Sequence, residues 1–205
     1  MTPQGAPDRF RRLLPMVIVV LVFLAPVTGS WLLRLSGWRS EHLVNYGTLV
    51  TPPKPVPAGA VDLERVGGGA LDPHFLLGKW TLIQVDRTPC DTACAHRLWV
   101  TRQVRVTLGE DLRRVQRLLV FSGGRPDPHL AELRAAHPDL TIVGGSPQQL
   151  RTMFDWLNSG GGGPVDGHVY LVDPLGNLMM RYPADLKPSG LQKDLKRLLK
   201  VSHIG

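Results

Sequence analysis

The apolar positions of this chain fall into one long run near its start and a series of short runs after residue 80. Residues 13–33 pass 21 positions without a charged side chain. As a helix they would extend about 31 Å, the thickness of a bilayer's hydrocarbon core. Pro15 and Pro26 are tolerated in such a helix, and Trp31 and Trp38 suit its interfacial ends. The short runs have a different period. Residues 80–86, 115–121 and 140–143 are mostly apolar and of strand length. Residues 91–108 space Leu98, Val104 and Leu108 as on a loosely amphipathic helix, and 128–137 predicts a short helix with Pro128 in its first turn. Ser146 can cap a helix through residue 158, with Pro147 at its first position. Residues 168–172 and 177–182 predict a hairpin around Asp173-Pro174-Leu175-Gly176, and 191–201 a last amphipathic helix.

Four segments follow from this pattern. Residues 1–12 form a polar, arginine-bearing tail and 13–34 a transmembrane anchor. Residues 35–70 predict a Pro/Gly-rich linker, in which Thr51-Pro52-Pro53-Lys54-Pro55-Val56-Pro57 is an extended, polyproline-like spacer and Gly67-Gly68-Gly69 a turn. Residues 71–205 are the folded domain, of ordinary single-domain size. The order βαβαβα, then a hairpin and a helix, predicts an α/β fold: a thioredoxin-like domain, its central mixed sheet flanked by helices, behind a single N-terminal transmembrane helix. Arg9, Arg11 and Arg12 predict a cytoplasmic N-terminus on the inner (cytoplasmic) membrane, which puts the domain on the periplasmic side. Arg34 and Arg39 weigh the other way. A cleaved signal peptide is the alternative, since Val27-Thr28-Gly29-Ser30 is a small-residue stretch. Against it, apolar residues continue past that point and no Ala-x-Ala site is present.

The formal net charge of +7 raises the question of nucleic acid, but arginines flanking the anchor and lysines on the last helix account for much of it. No basic–aromatic recognition motif is present, so no nucleic-acid partner is expected. The glycine pairs after the strands make no phosphate-binding motif, and no Ser-His-Asp or paired-carboxylate pattern is detectable. What remains is the chain's two cysteines, Cys90 and Cys94. A strand, a Pro-Cys turn and a helix lift both thiols to the carboxyl end of the sheet, where α/β folds put their chemistry. At i and i+4 they share a helix face, so they can hold one soft metal ion or close a disulfide. Cu(I) prefers soft thiolates and few ligands, whereas structural zinc normally takes four. A helix N-terminus lowers thiol pKa, and Asp91 between the two acts in the opposite direction. Copper binding, metal-free redox chemistry and a structural disulfide all stay open, though a loop this short gains little stability from cross-linking. Trp80, Trp99 and Trp156 are expected in the core or the walls of a site. His96 falls on another helix face, and His74, His129, His137 and His203 have no spacing partner.

Several segments, taken in order, resemble the Sco/SenC family of membrane-anchored, thioredoxin-fold proteins that handle copper during cytochrome c oxidase assembly. Cys90-Asp91-Thr92-Ala93-Cys94 is similar to the family's C-x-x-x-C, and Arg117-Leu118-Leu119-Val120-Phe121-Ser122 to its second strand. Val143-Gly144-Gly145-Ser146-Pro147-Gln148-Gln149-Leu150 resembles its Gly-Ser/Thr-Pro helix start, and Val169-Tyr170-Leu171-Val172-Asp173-Pro174-Leu175-Gly176 its hairpin. Asp91 and Ala95 replace two prolines usual in the family. The resemblance implies Cys90 and Cys94 as copper ligands and redox pair, and a histidine about five residues before the hairpin tyrosine as third ligand. Here His168 stands only two before Tyr170, and ungapped alignment puts Val165 at the ligand position. The glycine run at 160–163 is where such a shift would be absorbed. The implied function is delivery of copper, or electrons, to the copper-binding subunit of the oxidase. The alternatives are a thiol–disulfide reductase that keeps that subunit's cysteines reduced, and a scaffold without chemistry.

Overall fold

The computed structural model describes residues 8–36, 45–122, 128–202 and 204. The first seven residues, Trp38, Arg39, Gly123, Gly124 and His203 lie outside them. The chain divides into two compact units, Met1–Leu43 and Val44–Gly205. The first holds α1 (Asp8–Leu35), a helix that runs through both prolines. Within it Leu13–Leu35 is long and apolar enough to cross a membrane, and none of it is buried.

The second unit is built on a seven-stranded sheet. Its strands are β1 (Thr48–Pro55), β2 (Glu64–Arg65), β3 (Trp80–Asp86), β4 (Val115–Phe121), β5 (Leu140–Gly144), β6 (Val169–Val172) and β7 (Asn177–Tyr182), ordered β1-β7-β6-β3-β4-β5-β2. The central β3, β4 and β5 run parallel, and the remaining pairs are antiparallel. Helices α2 (Thr92–Val106), α3 (Leu130–Ala136), α4 (Pro147–Asn158) and α5 (Pro188–Val201) complete it. All seven residues of β3 are buried, which is why that stretch reads as one apolar run. Strand alternation sorts its side chains. Ile83 and Val85 join Met153, Trp156 and Leu157 of α4 on one face. Trp80 and Leu82 join Val100 and Val104 of α2 and Leu191 and Leu195 of α5 on the other. This is the thioredoxin-like α/β arrangement that the element order predicts. Ser146 caps α4 as its sequence implies: its hydroxyl accepts from Gln149 N, and the Gln149 side chain accepts from Ser146 N at 2.8 Å.

The structure corrects the linker reading. Residues 48–55 are not a free spacer but an edge strand, with Thr48 paired to Arg181 and Pro55 to Asn177. The register shifts between Leu49 and Lys54, so Thr51, Pro52 and Pro53 fall where no ladder bond is needed. Ala60, Leu63, Leu71 and Leu76 then pack into the core. Asp194 of α5 pins the entry to β1, accepting from Tyr46 N, from Gly47 N at 3.0 Å and from Tyr182 Oη at 3.1 Å. Pro128 precedes α3 instead of opening it, α5 starts three residues before the predicted 191, and a 3-10 turn, Gly109–Arg114, follows α2. Trp80 and Trp156 are buried as expected, but Trp99 is 53% exposed on the outward face of α2.

Candidate functional site

The chain leaves β3 at Asp86, turns through Arg87, Thr88 and Pro89, and reaches Cys90 one residue before the cap of α2. Asp91 is that cap; its carboxylate accepts from Cys94 N at 2.7 Å. A disulfide joins Cys90 to Cys94 across the cap, with Cα atoms 5.4 Å apart. The bridge therefore avoids regular helix, where i,i+4 geometry would strain it. Its two sulfurs differ in access. Cys94 is 1% exposed and packs against Leu98, Leu119, Phe121 and Ile142, whereas Cys90 is half-buried at the rim of that cluster. An outside thiol or metal donor meets Cys90 first.

Beneath the pair lies a polar row that sequence reasoning missed. Gln84 and Asp86 continue the α2-facing row of Trp80 and Leu82 and are buried. Asp86 accepts from the buried guanidinium of Arg97, one turn past Cys94. Gln84 Nε2 donates to Asp86 Oδ2 at 2.6 Å and to the Cys94 carbonyl at 3.2 Å, and lies 4.0 Å from Cys94 Sγ. Burial raises the Asp86 pKa above its ordinary value even with Gln84 and Arg97 bound to it. The available signal was two polar residues at alternating positions in an otherwise apolar strand.

His168 is placed elsewhere. Alternation groups it with Tyr170, its ring centroid 6.4 Å from the tyrosine's, and Tyr170 packs on the α4 face of the sheet. Gly167, just before His168, faces α2, where a Cβ would stand 3.8 Å from the Arg97 guanidinium. Both ring nitrogens of His168 are engaged. Nε2 accepts from Arg181 Nη2 at 2.9 Å, which leaves Nδ1 to donate to the Asp166 carbonyl at 3.1 Å. Burial, with the nearby charges of Arg181 and Arg97, lowers its pKa. Arg181 also donates to the carbonyls of Gly162 and Pro164. Among the described residues no group of three or more His, Cys, Asp or Glu is arranged to hold a metal ion. The structure thus brings Cys90 and Cys94 together but does not add His168, because a two-residue offset from Tyr170 puts it on the wrong parity of the strand. Val165 is also not a ligand; it lines a cleft of about 570 Å³ with Arg87, Thr88, Phe154, Asn158 and Asp166. His96 is exposed and stacks on Trp99.

A mixed sheet with a half-exposed cysteine before a helix and a buried one inside it, joined by a disulfide, is the architecture of a thioredoxin-fold protein. Residues 80–202, more than half of the chain, match a family model described as "Transmembrane-like, thioredoxin-like, C-terminal domain", and the chain belongs to that family. Its fold is shared with copper-bound yeast Sco1, at 20% identity and TM-score 0.58, covering 68% of this chain and 86% of that one. Apo Sco1 from Thermus thermophilus matches at 22% identity and TM-score 0.60, over 78% of this chain and 99% of that one. The thioredoxin domain of a thiol-disulfide oxidoreductase from Bacteroides vulgatus matches at 14% identity and TM-score 0.53, over 75% and 97%. No curated protein matches the sequence.

Proposed function

We propose that this is a membrane-tethered, copper-handling redox protein whose reactive centre is Cys90–Cys94. The observation that carries the reading is the pair's asymmetry: one cysteine partly buried at the rim, the other fully buried, joined across a helix cap. Reduction by an external dithiol opens the bridge; two electrons and two protons convert it to two thiols, and the donor leaves as a disulfide. The reduced pair then takes Cu(I) as cargo between two thiolates, a coordination number that this ion accepts, and releases both thiol protons. Re-oxidation by a partner disulfide, which accepts two electrons and takes up two protons to become two thiols, removes both ligands at once and couples copper release to electron transfer. The recipient in this reading is the copper-binding subunit of cytochrome c oxidase, and the domain works on the periplasmic side of the inner membrane. Arginines ahead of the apolar helix and a disulfide in the folded unit support that side.

A second reading is favoured by one observation. His168 is held by Arg181 on the far face of the sheet, so among the described residues no third ligand is ready. A thiol–disulfide reductase needs none. The test uses the full chain in detergent micelles, reduced without oxygen and titrated with Cu(I) against a competing chelator. One tightly bound Cu(I), lost in Cys90→Ala and in Cys94→Ala, is expected. No binding with a disulfide that thiols open readily moves the function to the reductase. No binding and an inert disulfide leave a scaffold.

A further inference from the structure

The row beneath the disulfide does more than fill space. The Gln84 side-chain amide has two N–H donors and one carbonyl acceptor. Asp86 Oδ2 at 2.6 Å and the Cys94 carbonyl at 3.2 Å are both acceptors, so the NH2 end must face them. The opposite end sets no competing demand: Gln84 Oε1 is buried without a hydrogen-bond partner. Arg97 in turn holds Asp86 from the far side. The amide is thus pinned with an N–H 4.0 Å from Cys94 Sγ, in a pocket where Cys94 is 1% exposed.

We propose that Gln84 is a positioning residue for opening the disulfide, acting on the buried sulfur as it departs. This rests on the dithiol/disulfide reading above and applies with or without copper. An incoming thiolate attacks Cys90 Sγ, the accessible sulfur. A new S–S bond forms there, the Cys90–Cys94 bond breaks, and its electron pair goes to Cys94 Sγ. In the closed bridge that sulfur is neutral and a weak acceptor, so the amide serves the Cys94 carbonyl. As negative charge collects on Sγ, the same N–H finds a charged acceptor in a site sealed from water, where such a bond is strongest. Water cannot substitute for it, because Leu98, Leu119, Phe121 and Ile142 surround the sulfur. Asp86 and Arg97 contribute by keeping the amide from rotating and presenting its carbonyl, which would oppose the charge.

Two reactions of the full chain in detergent micelles separate this role from a merely structural one. The first is opening of the native disulfide by dithiothreitol, in which Cys94 is the leaving group. The second is attack by reduced Cys90 on a small aromatic disulfide in the Cys94→Ser background, in which position 94 does not leave. Gln84→Met keeps the volume and removes the donor. It is expected to slow the first reaction about tenfold or more, the size of a charge-assisted hydrogen bond, and to leave the second within about twofold. Gln84→Glu, which keeps the shape but has no N–H, is expected to slow the first at least as much, and it carries the test if Gln84→Met does not fold. Wild-type speed in the first reaction, or equal slowing of both, overturns the role of Gln84. A wild-type disulfide that no thiol opens would instead overturn the redox reading on which the role rests.

Discussion

Replacing Arg97 by methionine should expose how the floor of the site is balanced. The pair Asp86–Arg97 is buried, with side chains 7% and 9% exposed, so the variant strands a carboxylate whose other partner is the Gln84 amide. Removing one member of a buried pair costs about 3–5 kcal/mol. The stranded carboxylate has one escape, which is to take up a proton. From its ordinary pKa of 3.8 that escape costs at most about 4.4 kcal/mol at pH 7, at 1.36 kcal/mol per unit. Burial already lifts wild-type Asp86 above 3.8, so the true ceiling is lower. The expected loss at pH 7 is therefore about 3–4 kcal/mol. At pH 5 the same ceiling falls to about 1.6 kcal/mol, because the proton is nearly free to bind. The sign follows from linkage. A raised carboxyl pKa means the folded state keeps a proton that the unfolded state has released. Stability from this group is thus full at low pH and lost as pH rises through the folded-state value. Arg97→Met moves that value up and widens the losing range. Urea unfolding of the full chain in micelles, followed by tryptophan fluorescence at pH 5 and pH 7, measures it. A loss below about 1 kcal/mol at pH 7, or the same loss at both pH values, would refute the argument.

Other outcomes follow from burial and capping. With limiting iodoacetamide, the reduced protein should label Cys90 well before Cys94, and mass spectrometry showing equal labelling would contradict the packing of Cys94. Trp156→Ala should lose about 3–5 kcal/mol, since its ring is buried and its Nε1 donates to the Lys54 carbonyl at 3.0 Å. Trp99→Ala, on an exposed ring, should stay within about 0.5 kcal/mol in the same urea assay. Ser146→Ala breaks the capping box of α4 and should cost about 1 kcal/mol, read as a lower urea midpoint.

How far the sequence could be read depended on where the deciding contacts lie. Strands β3, β4 and β6 and the start of α4 were legible because their signals are local: buried strands are mostly apolar, and a Ser-Pro-x-Gln start satisfies its own amides. Strand β1 was not. Its prolines favour an extended spacer when read alone, and what makes it a strand is the edge of β7, more than a hundred residues later in the chain. The cysteine pair stood out by residue type and spacing, but the difference between its sulfurs depends on Leu119 and Ile142 from two other strands. His168 stands apart from the cysteine pair for a reason that strand parity explains: a shift of three residues changes the face. The Gln84–Asp86–Arg97 row showed only as an irregularity in an apolar run, and its meaning needed the helix packed above it.

The disulfide also has a mechanical side. One sulfur belongs to the loop after β3 and the other to the body of α2, so the bond is a pin between a loop and a helix. Drawing the pin leaves the loop tied by contacts such as the Arg87–Asp166 ion pair, 2.8 Å long with Arg87 81% exposed. An ion pair of that kind holds by about 1 kcal/mol or less. Oxidised and reduced molecules therefore differ by one covalent tie between that loop and α2. In the function proposed above, that difference is what a docking partner would meet before any bond is exchanged.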